Sequence, residues 1–138
     1  MVEKANMLRR ALRANKWTAG LSGVAVLLAA GPIAEWSGLV TELGHDVAVL
    51  LVLAVGLGLV VFSGLLSGVA RPRIIDHREA VTAWSVNLVW LAVGLALLSA
   101  PLSITAIGIG LLALLSAVAA LFAGVQAYAI WGRAGAPG

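Results

Sequence analysis

The residues best suited to chemistry are an acidic and histidine cluster that precedes the second apolar run of the chain. Glu42, His45 and Asp46 would share one face of a continuous helix, where they could hold a divalent cation or carry protons. A tight metal site usually needs three or four ligands, and Gly44 can break the helix that would align them. Acidic residues at a helix start also complement its dipole, and Asp46 can cap free N–H groups there. We therefore expect no metal and no cofactor, with these three residues as the only metal candidates.

Two amide side chains are the strongest polar groups inside the apolar runs. Asn87 and Gln126 each lie a few residues in from the same edge, and so at similar depth. Because an unsatisfied amide in lipid is costly, we expect both to face the protein interior and to meet each other. The alternative is that they form the polar lining of a permeation path.

Other catalytic patterns are missing from the sequence. The chain contains no cysteine, no HExxH motif, no phosphate-binding loop and no Ser–His–Asp order. The apolar runs contain no ionisable residue, which argues against a proton-coupled transporter. The sequence therefore predicts a protein that is not an enzyme.

The composition predicts an integral membrane protein. Of the 138 residues, 62% are hydrophobic and 11% charged, whereas soluble domains are about half apolar and about a quarter charged. A helix that crosses the bilayer needs about 20 apolar residues. Four runs without charged residues or histidine predict spans at 17–33, 47–70, 80–100 and 102–131. We expect residues 1–138 to form one all-α transmembrane domain, a four-helix bundle.

The first apolar run could instead be the hydrophobic part of a signal peptide, with Ala29-Ala30-Gly31 as a cleavage-like tail. Such regions usually have about 7–15 apolar residues. Residues 17–33 are longer than this and follow a basic segment at 1–16. We therefore expect this run to be retained as a membrane span.

The basic residues predict the orientation of the chain. All nine fall before span one, between spans two and three, or after span four, and neither of the two opposite loops has any. The positive-inside rule then places both termini in the cytoplasm, in a multi-pass protein of the inner (plasma) membrane. The same asymmetry explains the basic composition without a nucleic-acid partner. The basic residues are Lys4, Arg9, Arg10, Arg13, Lys16, Arg71, Arg73, Arg78 and Arg133.

The chain also carries an internal similarity. When Pro32 is aligned with Pro101, the segment 24–28 falls on 93–97, and a second alignment places 65–69 on 121–125. This pattern predicts two tandem helical hairpins that run parallel, related by a pseudo-two-fold axis along the membrane normal.

The second half resembles the bacterial SPW-repeat membrane proteins, which have paired helices with an Asn, a Gly and a Leu-Leu-Ser-x-Pro ending. The matching residues are Asn87, Gly94 and Leu97-Leu98-Ser99-Ala100-Pro101, with a weaker match in Leu27-Leu28-Ala29-Ala30-Gly31-Pro32. The chain departs from the family in having Ala100 where a Pro is expected and no Trp after Pro101. The resemblance implies the paired-helix architecture and no assigned activity.

Two further segments are expected to lie at the membrane surfaces. Residues 1–16 place Leu8, Ala11 and Leu12 on one helical face, which predicts a basic interfacial helix on lipid or, alternatively, a docking surface for a cytosolic partner. Residues 33–44 repeat apolar side chains at helical spacing, which predicts one amphipathic helix on the outer face. Four tryptophans are expected to be interfacial anchors: Trp17, Trp36, Trp84 and Trp131.

Small residues at helical spacing are expected to mediate helix packing. Gly64 and Gly68 form one such face on span two, and Ala120 and Gly124 form another on span four. The sequence does not divide packing inside the chain from packing between copies.

The function expected from these features is non-enzymatic. We expect self-assembly, or service as an accessory or scaffold subunit of a membrane complex, with the lipid bilayer and a second copy or another membrane protein as partners. One alternative is a homo-oligomeric channel or facilitator for an ion or small solute. Another is a lipid or isoprenoid binder with a cleft between the hairpins and Trp90 at its wall.

Overall fold

The structure is a computed structural model that describes residues 2–71, 74–100 and 103–132. All regular structure in these ranges is helical, and they contain no strand. Pro101 and Leu102, which belong to the family resemblance and to the predicted start of span four, lie outside the described residues. So do Arg73 and Arg133.

Six helices follow one another along the described chain. Helices α4, α5 and α6 are each long and apolar enough to cross a membrane, and α1 with α2 makes a further candidate, bent by 82° between them. The chain is therefore a multi-pass membrane protein by length and composition. The helices are α1 (Val2–Leu28), α2 (Ala30–Trp36), α3 (Leu39–Leu43), α4 (His45–Ala70), α5 (His77–Ser99) and α6 (Ala106–Trp131).

The N-terminal segment differs from its prediction. Residues 1–16 and 17–33 were expected to be a surface helix and a separate span, but α1 runs without interruption to Leu28. Leu8 and Leu12 are buried, and they belong to one apolar cluster with Leu66 of α4 and Ala80 of α5. The apolar face of this segment therefore contacts protein rather than lipid, because the neighbouring helices extend far enough to cover it.

The segment between α1 and α4 also differs from its prediction. One amphipathic helix was expected over 33–44, but the chain forms α2 and α3 with a break at Gly38. Gly38 has a φ of +81°, a left-handed conformation that glycine adopts without steric cost. The apolar side chains Ile33 and Val40 of the predicted helix still pack inward, against a buried cluster formed by Ala30, Ala34, Ala48 and Val52. Gly44, with a φ of +82°, ends α3, where the sequence predicted a break.

The long helices contact one another in a ring. Helix α1 packs along α4, and α5 packs along α6, so that each pair forms a hairpin. The hairpins meet where α1 contacts α6 and, less extensively, where α4 contacts α5. No backbone contact joins α1 to α5 or α4 to α6 within the described residues. Helices α1 and α5, which lie opposite each other, and likewise α4 and α6, therefore leave space at the centre of the ring.

Glycine allows α1 and α4 to approach closely. A Cβ atom on Gly23 would lie 2.8 Å from the Gly56 carbonyl oxygen and 2.9 Å from the Val60 nitrogen. A Cβ atom on Gly56 would lie 2.9 Å from Cγ of Leu27. Because these obstacles include backbone atoms, the two helices can hold this separation only with glycine at the contact.

One end of the ring carries long-range contacts from basic side chains. The Lys4 ammonium donates a hydrogen bond to the Gly132 carbonyl, and the Arg9 guanidinium donates one to the Ala70 carbonyl at 2.9 Å. The His77 ring lies 6.4 Å from the Trp131 ring. The start of α1, the ends of α4 and α6 and the start of α5 thus lie together at what we call the basic end.

The contact at Gly23 predicts a selective loss of stability. We expect Gly23→Ala to lower the free energy of unfolding by about 1–3 kcal/mol, because the methyl group must push α1 away from the α4 backbone. The measurement is denaturation in mixed detergent micelles, followed by circular dichroism. Gly110→Ala is the control, since a Cβ atom there meets nothing within 4 Å. Equal stability of the two variants would contradict the proposed contact.

Candidate functional site: a buried amide pair and an interhelical cavity

The structure brings Asn87 and Gln126 together between α5 and α6. The Asn87 Nδ2 atom donates a hydrogen bond to Gln126 Oε1 at 3.3 Å, and the two residues are 3% and 0% exposed. About one turn away, Trp84 Nε1 donates to the Ala123 carbonyl at 3.1 Å. The two polar links lie along the same helix pair, so they define how α5 and α6 align.

The helices that carry the amides are capped by side chains. Asp76 precedes α5 and accepts a hydrogen bond from the Arg78 backbone N–H at 2.9 Å. Thr105 precedes α6 and accepts from the Gly108 N–H at 3.3 Å. Asp46, which was expected to cap α4, lies in the first turn instead because Gly44 occupies the cap position. Its charge there still complements the helix dipole.

A cavity of about 100 Å³ lies at the centre of the ring and is lined by α1, α4, α5 and α6. Most of its wall is apolar, including Leu59, Phe62, Trp90 and Phe122. Trp90 also packs over Gly58, where a Cβ atom would lie 3.0 Å from the indole ring. The polar residues in the wall are Asn15, Thr18, Ser22, Asn87 and Ser116.

Three buried polar atoms in and beside this cavity have no hydrogen-bond partner among the described residues. They are Asn15 Nδ2, Ser116 Oγ and Gln126 Nε2. Asn15 is 4% exposed and Ser116 is 7% exposed, and both line the cavity. A buried unsatisfied donor costs about 1–3 kcal/mol, so each of these groups needs a partner such as a water, an ion or a ligand to offset that cost.

Sequence reasoning missed the role of Asn15. The residue was treated as part of a surface segment, although it continues the buried stripe of Leu8, Ala11 and Leu12 at helical spacing. A polar side chain in line with an apolar stripe was the signal that could have identified it.

The tryptophans occupy two kinds of position. Trp17, Trp36 and Trp131 are largely exposed, as a position at the membrane interface requires. Trp84 is half-buried, and its ring makes an edge-on contact with Trp131 at 4.8 Å between ring centroids. Trp84 is therefore held between α5 and α6, while the anchoring of all four tryptophans at the membrane boundary stays a prediction.

The acidic and histidine cluster does not form a closed site. Glu42, His45 and Asp46 are exposed, and the described residues contain no group of three or more metal-ligand side chains arranged around one point. Glu42 instead accepts a hydrogen bond from the Ser103 N–H at 2.9 Å. The Ser103 hydroxyl and N–H together hold the pKa of Glu42 below its ordinary value of 4.5. This carboxylate therefore links α3 to the segment before α6.

The small-residue faces predicted from sequence lie outside the helix contacts of the chain. A Cβ atom on Gly64, Gly68 or Gly124 would meet nothing within 4 Å, and Ala120 is exposed. These faces therefore do not pack inside the described part of the chain. Other glycines, such as Gly23, mediate the internal contacts. Beside Gly124 lies an open groove of about 400 Å³, lined by Met7, Ala120, Leu121, Gly124, Val125 and Tyr128.

Comparisons with protein-family models, with curated proteins and with solved structures found no match to this chain. The resemblance to SPW-repeat proteins therefore stays a prediction. The site must be interpreted from its own geometry.

The amide pair predicts coupled stabilities. We expect the Asn87→Leu and Gln126→Leu substitutions to be non-additive, with a coupling of about 0.6–1.7 kcal/mol, because either single change leaves a buried amide unpaired. A double-mutant cycle on the free energy of unfolding in mixed micelles measures this coupling. Additive costs would show that the two amides do not interact.

The link between Glu42 and Ser103 predicts a pH dependence. Because the folded-state pKa of Glu42 is lowered, the hydrogen bond is fully present above pH 4.5 and is lost as the pH falls through the lower folded-state value. We expect the Ser103 amide resonance in NMR spectra to titrate with a midpoint below 4.5. Glu42→Gln should abolish this titration. A midpoint at or above 4.5, or a titration that persists in the variant, would refute the assignment.

Proposed function

We propose that this chain is a non-enzymatic multi-pass membrane protein that acts by self-assembly, with a second copy as its partner. The observation that carries this proposal is the groove beside Ala120 and Gly124, whose small residues face away from the rest of the chain. Membrane helices associate mainly by close packing at such faces, since lipid tails are as apolar as leucine.

The groove and its neighbouring side chains favour a symmetric contact. Leu121 lines the groove and is 64% exposed, and Tyr128 at its edge is 58% exposed. In a two-fold dimer the same patch meets itself, so Leu121 of each copy can enter the groove of the other. We propose that α6 crosses its counterpart near Gly124. The exposed Gly64 and Gly68 of α4 would leave a second face for a larger assembly.

The amide pair supports assembly over the channel alternative. A pore along an oligomer axis needs polar groups that point outward from each copy. Asn87 and Gln126 are buried and bonded to each other, so they are engaged inside one hairpin. Their arrangement is that of structural polar contacts between membrane helices.

The basic end supports the proposed orientation. Lys4 and Arg9 bind the helix ends there, while Glu42, His45 and Asp46 lie on the segment at the other end of α4. By the positive-inside rule, we propose that the basic end lies on the cytoplasmic side of the inner membrane, with both termini. The paired hairpins also agree with the architecture implied by the SPW-repeat resemblance.

Cysteine cross-linking in native membranes tests this proposal. The chain has no cysteine, so Gly124→Cys introduces a single thiol at the proposed crossing point. We expect a disulfide-linked dimer to form rapidly on mild oxidation, because the two thiols lie beside the symmetry axis. The measurement is the dimer fraction over time on non-reducing gels.

Ser85→Cys is the matched control for this experiment. Ser85 is exposed on α5, next to Trp84 and so at the depth of Ala123, and the substitution changes little volume. A dimer fraction for Gly124→Cys no larger than that for Ser85→Cys would contradict an α6 interface.

A further inference from the structure

We propose that the central cavity binds one hydrocarbon chain that ends in a hydrogen-bond-accepting oxygen, and that Asn15 donates to this oxygen. The chemical class is a long-chain acyl or prenyl compound from the bilayer. This inference is separate from self-assembly, because the cavity lies inside the ring and the α6 groove lies outside it.

The shape of the cavity supports a chain-like ligand. Its lining residues run from Asn87 to Leu97 on α5 and from Leu112 to Phe122 on α6, a length of about 15 Å at about 1.5 Å per residue. A volume of about 100 Å³ is smaller than an apolar cavity of about 150 Å³ that holds one benzene ring, so the cavity, which we call the slot, admits a segment of a chain while the rest stays in the bilayer. A slot of this form suits a single hydrocarbon chain better than a compact ring system.

The chemistry of the wall disfavours water as the only occupant. A buried water needs two to four polar partners close together. Ser116 packs against Gly94, which lies seven residues beyond Asn87 on α5 and so about 10 Å further along the slot. Phe62, Trp90 and Phe122 contribute apolar wall. Ser116 and Asn87 are therefore too far apart for one water to bridge, whereas a chain can follow the apolar wall between them.

Asn15 is the recognition group that the cavity offers. The residue lines the slot, and its Nδ2 atom is buried and has no partner among the described residues. An amide N–H donates, so its partner must be an acceptor such as a carbonyl, ester or hydroxyl oxygen. A ligand oxygen at this point would remove the cost of an unsatisfied donor.

The weakest side of the ring gives the ligand a way in from the bilayer. Helices α4 and α5 share the least extensive contact among the neighbouring long helices. Trp90 lies at this side, against Gly58, and also lines the cavity. A hydrocarbon chain can therefore enter from lipid between α4 and α5, past the edge of the indole ring.

Photoaffinity labelling of the full chain in phosphatidylglycerol–phosphatidylethanolamine vesicles tests the proposal. The probes are a fatty acid and a prenol, each with a diazirine in the chain and an alkyne for detection. We expect saturable labelling of cavity residues, mapped by mass spectrometry to peptides that contain Phe62, Trp90 or Phe122. Labelling by the fatty acid alone identifies an acyl ligand, and labelling by the prenol alone identifies a prenyl ligand.

Two variants separate binding from nonspecific contact with lipid. Asn15→Leu should raise the half-saturating probe concentration about tenfold, the effect of one lost hydrogen bond. Its control is Asn6→Leu, an exposed position on the same helix. Ala119→Phe should fill the slot and abolish cavity labelling, whereas Ala113→Phe, exposed on the same helix, should not.

If neither probe labels cavity residues, or if labelling is the same in wild type, Asn15→Leu and Ala119→Phe, the slot binds no such chain. Circular dichroism confirms that each variant is folded. Because Ala119→Phe does not depend on Asn15, the test stands if Asn15→Leu fails to fold.

Discussion

The close approach of α1 and α4 at Gly23 and Gly56 is the contact on which the rest of the structure depends. It holds α1 antiparallel alongside α4, so that Leu12 and Leu66 join one apolar cluster and Arg9 reaches the end of α4. Once α1 is in this position, α6 can pack against it and close the ring. The central cavity follows because the two diagonal helix pairs stay apart.

Lipid provides little hydrophobic drive for helices to associate, so specificity must come from close packing and from polar pairs. The chain uses close packing in one hairpin and a polar pair in the other. The first hairpin relies on backbone proximity at glycine, and the second on the bond between Asn87 and Gln126 together with the Trp84 link. Gly124 faces outward and makes no such contact with the part of the chain that the structure describes, so its face is open to another copy.

The sequence alone was sufficient for the coarse architecture, because apolar runs without charge are long enough to cross a membrane only as helices. Equal depth also predicted that Asn87 and Gln126 would meet. Periodicity cannot decide which partner covers an apolar stripe, so the sequence predicted lipid or a cytosolic protein, and not α4 and α5, against the face around Leu12. The direction in which Gly64 faces likewise depends on tertiary packing. Asn15 was missed because a polar residue among basic ones resembles a surface position until the helix is seen packed.

Native mass spectrometry of the protein, extracted gently from its own membrane, measures directly whether the chain self-assembles. Self-assembly through α6 predicts a discrete homo-oligomer, with an even number of copies if the contact is two-fold. A bare monomer under conditions that preserve other membrane complexes would contradict it. A complex of one copy with a different protein would also contradict it, and would identify the chain as an accessory subunit instead.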